Sequence, residues 1–179
     1  MKENPMREIR LDKVTLNIGT GEAGPKLEKA KALLEKVSAG KKVVITKTHK
    51  RTTFGIAKGR PIGVKVTLRG EEAMELLGRL LQGIENTLRP SQFDRQGNIS
   101  FGVVEYIHVP GLKYDPDIGI MGFDVCITLK RPGFRVSKRR IRPGKIGKAH
   151  RITPEEAQKW MQDNFQTKIT EEVESKYGW

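Results

Sequence analysis

Three segments alternate apolar and polar residues with a period of two, and this pattern constrains the fold more than any other feature of the chain. Val14, Leu16 and Ile18 share one face of residues 14–18, with Thr15 and Asn17 on the other. Ile62, Val64, Val66 and Leu68 oppose Gly63, Lys65, Thr67 and Arg69. Met121, Phe123, Val125, Ile127 and Leu129 oppose Asp124, Cys126, Thr128 and Lys130. Strands of this kind bury one face only, whereas a parallel sheet covered on both faces reads as unbroken apolar runs. The pattern predicts an α+β fold: a largely antiparallel sheet of about five strands, helices on one face, the other face open. That open face would carry Thr15, Asn17, Thr46, Lys65, Thr67, Arg69, Thr128 and Lys130.

The connecting segments fit this plan. Ile9 and Leu11 have the wrong parity for Val14, which predicts a bulge between them. Pro25 opens a helix whose apolar face is Leu27, Ala30, Leu33, Leu34 and Val37, with Gly40 as its stop. A short strand follows at 43–45, then a polar loop at 47–60. A second helix is predicted over 71–88, ending before Pro90, with Met74, Leu77, Leu80, Leu81, Ile84 and Leu88 inward. A strand is predicted at 99–107. Thr153-Pro154-Glu155-Glu156 is a capping box that starts a third helix with Ala157, Trp160, Met161 and Phe165. Residues 1–170 read as one domain, with 130–151 as a basic extension within it and 171–179 as a frayed tail.

Charge narrows the function. The formal net charge is +13, and it is segregated. Residues 41–69 hold nine Lys/Arg and residues 130–151 hold ten, with no acid in either, so the other 128 residues carry a net −6. Segments charged this way repel themselves and call for a polyanion. Gly and Pro interrupt both, so neither is a membrane-surface amphipathic helix. Thr, Phe and His among the cations suit phosphate, ribose and base contacts. The loop combines Lys47, His49, Lys50, Arg51, Lys58 and Arg60 with Thr52, Thr53 and Phe54. The extension spreads Arg135, Lys138, Arg139, Arg140, Arg142, Lys145 and Lys148 among Gly and Pro, a composition expected to be mobile until RNA orders it. No 18-residue apolar run or signal peptide is present, so a soluble, intracellular protein is expected.

Chemistry-bearing motifs are scarce. Gly19–Gly24 matches GxGxxG after a strand and before a helix, but Glu22 and the lack of an acid at 39–47 speak against a dinucleotide. A tight turn is the simpler reading. Residues 99–106 partly resemble the aromatic strand of an RNA-recognition motif and read better as core. The three His are isolated and Cys126 is the single cysteine, so neither a metal site nor a catalytic constellation is expected. No cofactor and no enzymatic activity are expected.

Three long segments carry a resemblance. VTLNIGTGEAG at 14–24, VVITKTHKRTTFGIAKGRPIGVKVTLRG at 43–70 and QFDRQGNISFGVVEYIHVPGLKYDPDIGIMGFDVCITL at 92–129 together resemble the family of large-subunit ribosomal protein number five. RPGFRVSKRR and IGKAHRIT resemble its archaeal-type branch. The resemblance implies a monomer within the cytoplasmic ribosome that binds 5S rRNA on its sheet, in the central protuberance. The matching positions are Asn17, Thr46, Lys47, Lys65, Thr67 and Arg69, of which Lys47 has the opposite strand parity. It further implies that Lys50, Arg51, Thr52, Phe54, Lys58 and Arg60 reach P-site tRNA. The neighbourhood of 110–119 would meet small-subunit ribosomal protein number thirteen, and the extension would meet further large-subunit rRNA. Lys41-Lys42-Val43 stands where the family often has Gln-Lys-Pro, so charge pairing replaces a side-chain amide there. The alternatives are a nucleotide-binding enzyme that uses the 19–24 turn and a double-strand RNA chaperone outside the ribosome.

Overall fold

The computed structural model describes residues 4–50 and 55–170. Five strands form one sheet: β1 (Arg10–Gly19), β2 (Val44–Lys47), β3 (Pro61–Leu68), β5 (Ile99–Val103) and β6 (Phe123–Lys130). Their order is β2-β3-β1-β6-β5, and every neighbouring pair is antiparallel. β3 lies between β1 and β2, which are linked by α1 (Pro25–Val37), so the β1–α1–β2 unit is split by an inserted strand.

The period-two pattern becomes the core. Val14, Leu16 and Ile18 of β1, Val64, Val66 and Leu68 of β3, and Val125, Ile127 and Leu129 of β6 are all buried. They meet the apolar stripes of α1 and of α2 (Glu71–Gln82) in one cluster. Burial of each Leu or Val stabilises by roughly 1.5–3 kcal/mol, so the one-sided sheet and its helices form together. α4 (Pro154–Phe165) adds Ala157 and Met161 to the same core. It starts at the capping box: Glu156 N–H donates to Thr153 Oγ1 at 3.3 Å and Thr153 N–H to Glu156 Oε2 at 3.1 Å.

Several boundaries differ from expectation, each for a local reason. The second helix ends at Gln82, not 88, because Gly83 follows and Glu85 and Asn86 adopt left-handed conformations. Asn86 N–H returns to Leu81 O at 2.8 Å. That turn frees Thr87–Leu88 (β4) to pair in parallel with Lys168–Ile169 (β7), a two-residue ladder that the periodicity does not announce. The strand at 99–107 stops at Val103, and residues 106–108 form a turn of 3-10 helix instead. In α2 the inward residues include Ala73 and Leu76, while Met74 is only half-buried. The expected bulge is present, with β1–β6 pairing slipping between Leu11 and Lys13. The expected frayed tail at 171–179 lies outside the described residues.

Candidate nucleic-acid interface

All three long helices pack their apolar stripes into the core, and the opposite sheet face is built of polar side chains in register. Thr15 pairs with Thr67 on one side and Cys126 on the other, and the two threonine hydroxyls are 3.4 Å apart. Asn17 pairs with Lys65 and Asp124. Lys65 in turn faces Val44, and Thr46 faces Gly63. The ladder thus brings Asn17, Lys65, Thr67 and Thr46 together across three strands. Lys47 follows a register shift that pairs it with Pro61, so the alternation does not carry through to it; it is exposed. Gly63 is constrained, because a Cβ there would lie 2.6 Å from Ile18 O.

The face is asymmetric. Its β2–β3–β1 half carries Lys65 among Asn17, Thr15 and Thr67, whereas the β6–β5 half carries Asp124, Cys126, Ser100 and Gly102, with Lys130 at the end of β6. Burial and then Asp124 push the Cys126 thiol above its ordinary value, so it is not an activated nucleophile. Beside Asn17 lies an open hollow of about 350 Å³ in which Gly19, Gly102 and Gly122 expose backbone. Phe101 is buried, so it offers no stacking surface.

The basic loop stands on a built stem. Buried Thr48 donates its N–H to Arg60 O at 2.9 Å and its hydroxyl to Ala57 O at 2.8 Å, and Gly59 N–H donates to Thr48 O at 2.9 Å. Lys50, Lys58 and Arg60 are exposed around this stem. Arg51, Thr52, Thr53 and Phe54 lie outside the described residues. Lys41 is exposed and its ammonium is 2.7 Å from Glu72 at the start of α2.

The Gly19–Gly24 turn is already occupied. The N–H groups of Thr20 and Gly21 both donate to Ile62 O, at 2.9 and 3.1 Å, and the Thr20 hydroxyl joins them at 3.1 Å. Donors engaged in this way cannot cradle a pyrophosphate. The antiparallel sheet also lacks the adjacent parallel strands of a dinucleotide fold. Both observations stand against the nucleotide-binding alternative.

The extension differs most from expectation, because side-chain contacts tie it to the body. Arg131 is buried and donates to Glu156 Oε1 at 2.7 Å and to Arg151 O at 3.3 Å. Within the extension itself, the His150 ring meets Pro132 O at 2.9 Å and packs edge-on against Phe134. Lys138, in the short α3 (Arg135–Lys138), reaches Asp12 Oδ2 at 2.9 Å. Lys130 and Arg69 reach Asp12 Oδ1 at 2.8 and 3.1 Å. Burial alone would raise the Asp12 pKa, but the hydrogen bonds and charges of Lys130 and Lys138 prevail and hold it at about 2. Arg135, Arg139, Arg140, Arg142, Lys145 and Lys148 remain exposed.

Asp12 and Thr48 are the residues that sequence reasoning misses. The parity break between Leu11 and Val14 encloses Asp12, the one acid of β1, and was the available signal. Two further facts bear on partners. Among the described residues no helix is long and apolar enough to cross a membrane. Val104, Tyr114 and Ile120, in the loop between β5 and β6, leave more than half of their surface exposed. That loop is pinned where Tyr106 accepts Asp115 N–H at 2.8 Å and Asp115 pairs with Lys36 at 3.1 Å.

Comparison with known families and proteins agrees along the chain. The family described as Ribosomal protein L5 matches residues 4–56, and the ribosomal L5P family C-terminus matches residues 61–160. The large ribosomal subunit protein uL5 of Sulfurisphaera tokodaii is 49% identical over 169 residues, covering 94% of this chain and 96% of that protein. The uL5 of Methanobrevibacter smithii is 48% identical over 165 residues, covering 90% and 95%. That of Nanoarchaeum equitans is 48% identical over 169 residues, covering 93% and 99%.

Proposed function

The chain belongs to the ribosomal protein L5 family, as a structural, non-enzymatic constituent of the large subunit of the cytoplasmic ribosome, and from that premise we propose that its open sheet face binds 5S rRNA. The observation that carries the reading is the one-sided sheet. Helices cover one face, and the other sets Asn17, Thr46, Lys65 and Thr67 side by side in fixed register. Hydroxyl and amide groups of this kind suit ribose and phosphate, and Lys65 and Arg69 add charge to them. No bond is made or broken; binding rests on phosphate neutralisation, hydrogen bonding and shape.

The other contacts follow the same division. The loop on the Thr48 stem projects Lys50, Lys58 and Arg60, with Arg51, Thr52 and Phe54 between them in sequence, toward P-site tRNA. The exposed apolar side chains Val104, Tyr114 and Ile120 of the β5–β6 loop suit a protein partner, small-subunit ribosomal protein number thirteen. The extension meets further large-subunit rRNA through Arg135, Arg139, Arg140, Arg142, Lys145 and Lys148. This assembly belongs to the central protuberance.

The test sets the sheet against the loop. Asn17→Ala with Thr67→Ala is expected to weaken 5S rRNA binding far more than deletion of residues 50–59. If the loop deletion alone abolishes binding, the sheet is not the 5S surface.

A further inference from the structure

We infer that Asp12 is a positioning residue for RNA binding: it clasps the basic extension to the sheet, so that Arg69, Lys130 and Lys138 form one preformed seat for a phosphate of the RNA backbone. The inference rests on the reading of the sheet as an RNA surface, and adds the means by which two separate cationic segments act as one.

The Asp12 side chain is 4% exposed and sits at the bulge of β1. Its three cations come from the end of β3, the end of β6 and α3. None of them is buried: Arg69 is 58% exposed, Lys130 42% and Lys138 60%. One carboxylate against three cations leaves two positive charges uncompensated. An ammonium has three donors and a guanidinium five, so each cation keeps N–H groups for a second acceptor. The adjoining cleft, of about 500 Å³, is lined also by Lys13, Lys145 and Arg151.

Cations at this density repel one another when nothing lies between them. Asp12 holds the three at one place without neutralising them, so a singly charged phosphodiester meets a site that stays net positive even after it binds. A phosphate that meets side chains already in position avoids most of the entropy of ordering them. Without Asp12 the cations separate, and the extension loses its attachment at α3.

The sign of the effect separates this account from simple charge counting. If charge alone decides, loss of an acid adds a positive charge and strengthens RNA binding. If Asp12 is the clasp, its loss weakens binding although the protein becomes more basic. The full-length Asp12→Asn variant would be titrated with labelled 5S rRNA, and with an unrelated duplex RNA, at two salt concentrations. We expect about tenfold weaker binding of 5S rRNA, with a salt slope shallower by about one phosphate contact. Tryptic cleavage within residues 135–142 should also accelerate. Binding that is unchanged or tighter overturns the clasp. Lys138→Met leaves Asp12 in place and frees the extension, so cleavage after Arg139 and Arg140 must accelerate; because it also removes a cation, its cleavage rate and not its affinity carries the test if Asp12→Asn fails to fold. If the unaltered protein shows no preference for 5S rRNA over the duplex, the 5S reading falls, while the ratio of variant to parent on the duplex and the cleavage rate still decide the clasp.

Discussion

The open sheet face and the basic extension present cations of the same kind, yet they hold them in place by different means. On the sheet, backbone ladders fix each side chain: Lys65 stands between Asn17 and Val44 because β3 is bonded on both edges. In the extension, position depends on a few side-chain contacts: Arg131 to Glu156 and Lys138 to Asp12 attach it to the body, and His150 to Pro132 ties it to itself. The difference teaches that one surface is as stable as the core beneath it, while the other can be released without unfolding the protein.

Breaking the core should therefore abolish both surfaces. Leu16→Ala removes a fully buried side chain from the central strand and is expected to cost about 2–5 kcal/mol, read as a lowered midpoint in urea. Acid should act more selectively. The Asp12 carboxyl is held at about 2 against an ordinary 3.8, so its contribution is complete above pH 3.8 and is lost as pH falls through 2. Because its partners are half-exposed, that contribution is roughly 1–2 kcal/mol, and Asp12→Asn should flatten the acid limb of the stability curve over that range.

Charge reversals sharpen the contrast at the level of binding. Lys65→Glu, on the ladder, should weaken RNA binding by roughly tenfold or more, whereas Lys148→Glu, exposed in the extension, should weaken it only about twofold to threefold. Equal losses from the two would mean that the surfaces do not differ as described. The smallest expected effect is Thr153→Ala, which deletes the capping box of α4 and should cost about 1 kcal/mol in thermal unfolding without altering RNA affinity.

The sheet was legible in the sequence because its physics is local and repetitive. Val14, Leu16 and Ile18 declare their face by alternation alone, and the wrong parity of Leu11 announced the bulge. The capping box at Thr153 needed only four residues to be read. The β4–β7 pair was not legible, since two residues show no period and their partners lie about eighty positions apart. The early end of α2 rests on Gly83 together with left-handed Glu85 and Asn86, and the apolar period running on through Ile84 and Leu88 masked that signal. At the site, Asn17, Lys65 and Thr67 could be grouped by parity. Asp12 could not: a charged residue within a strand reads as surface, and its burial comes from cations more than fifty residues away.

The central claim is that the sheet face reads the shape of 5S rRNA, beyond its charge. Competition binding at low and high salt tests it directly, with labelled 5S rRNA challenged by unlabelled 5S rRNA, tRNA and an unrelated duplex. The account predicts that only 5S rRNA competes and that the preference persists at high salt. Equal competition by all three, with binding that vanishes as salt rises, would contradict it and leave the surface a polycation alone.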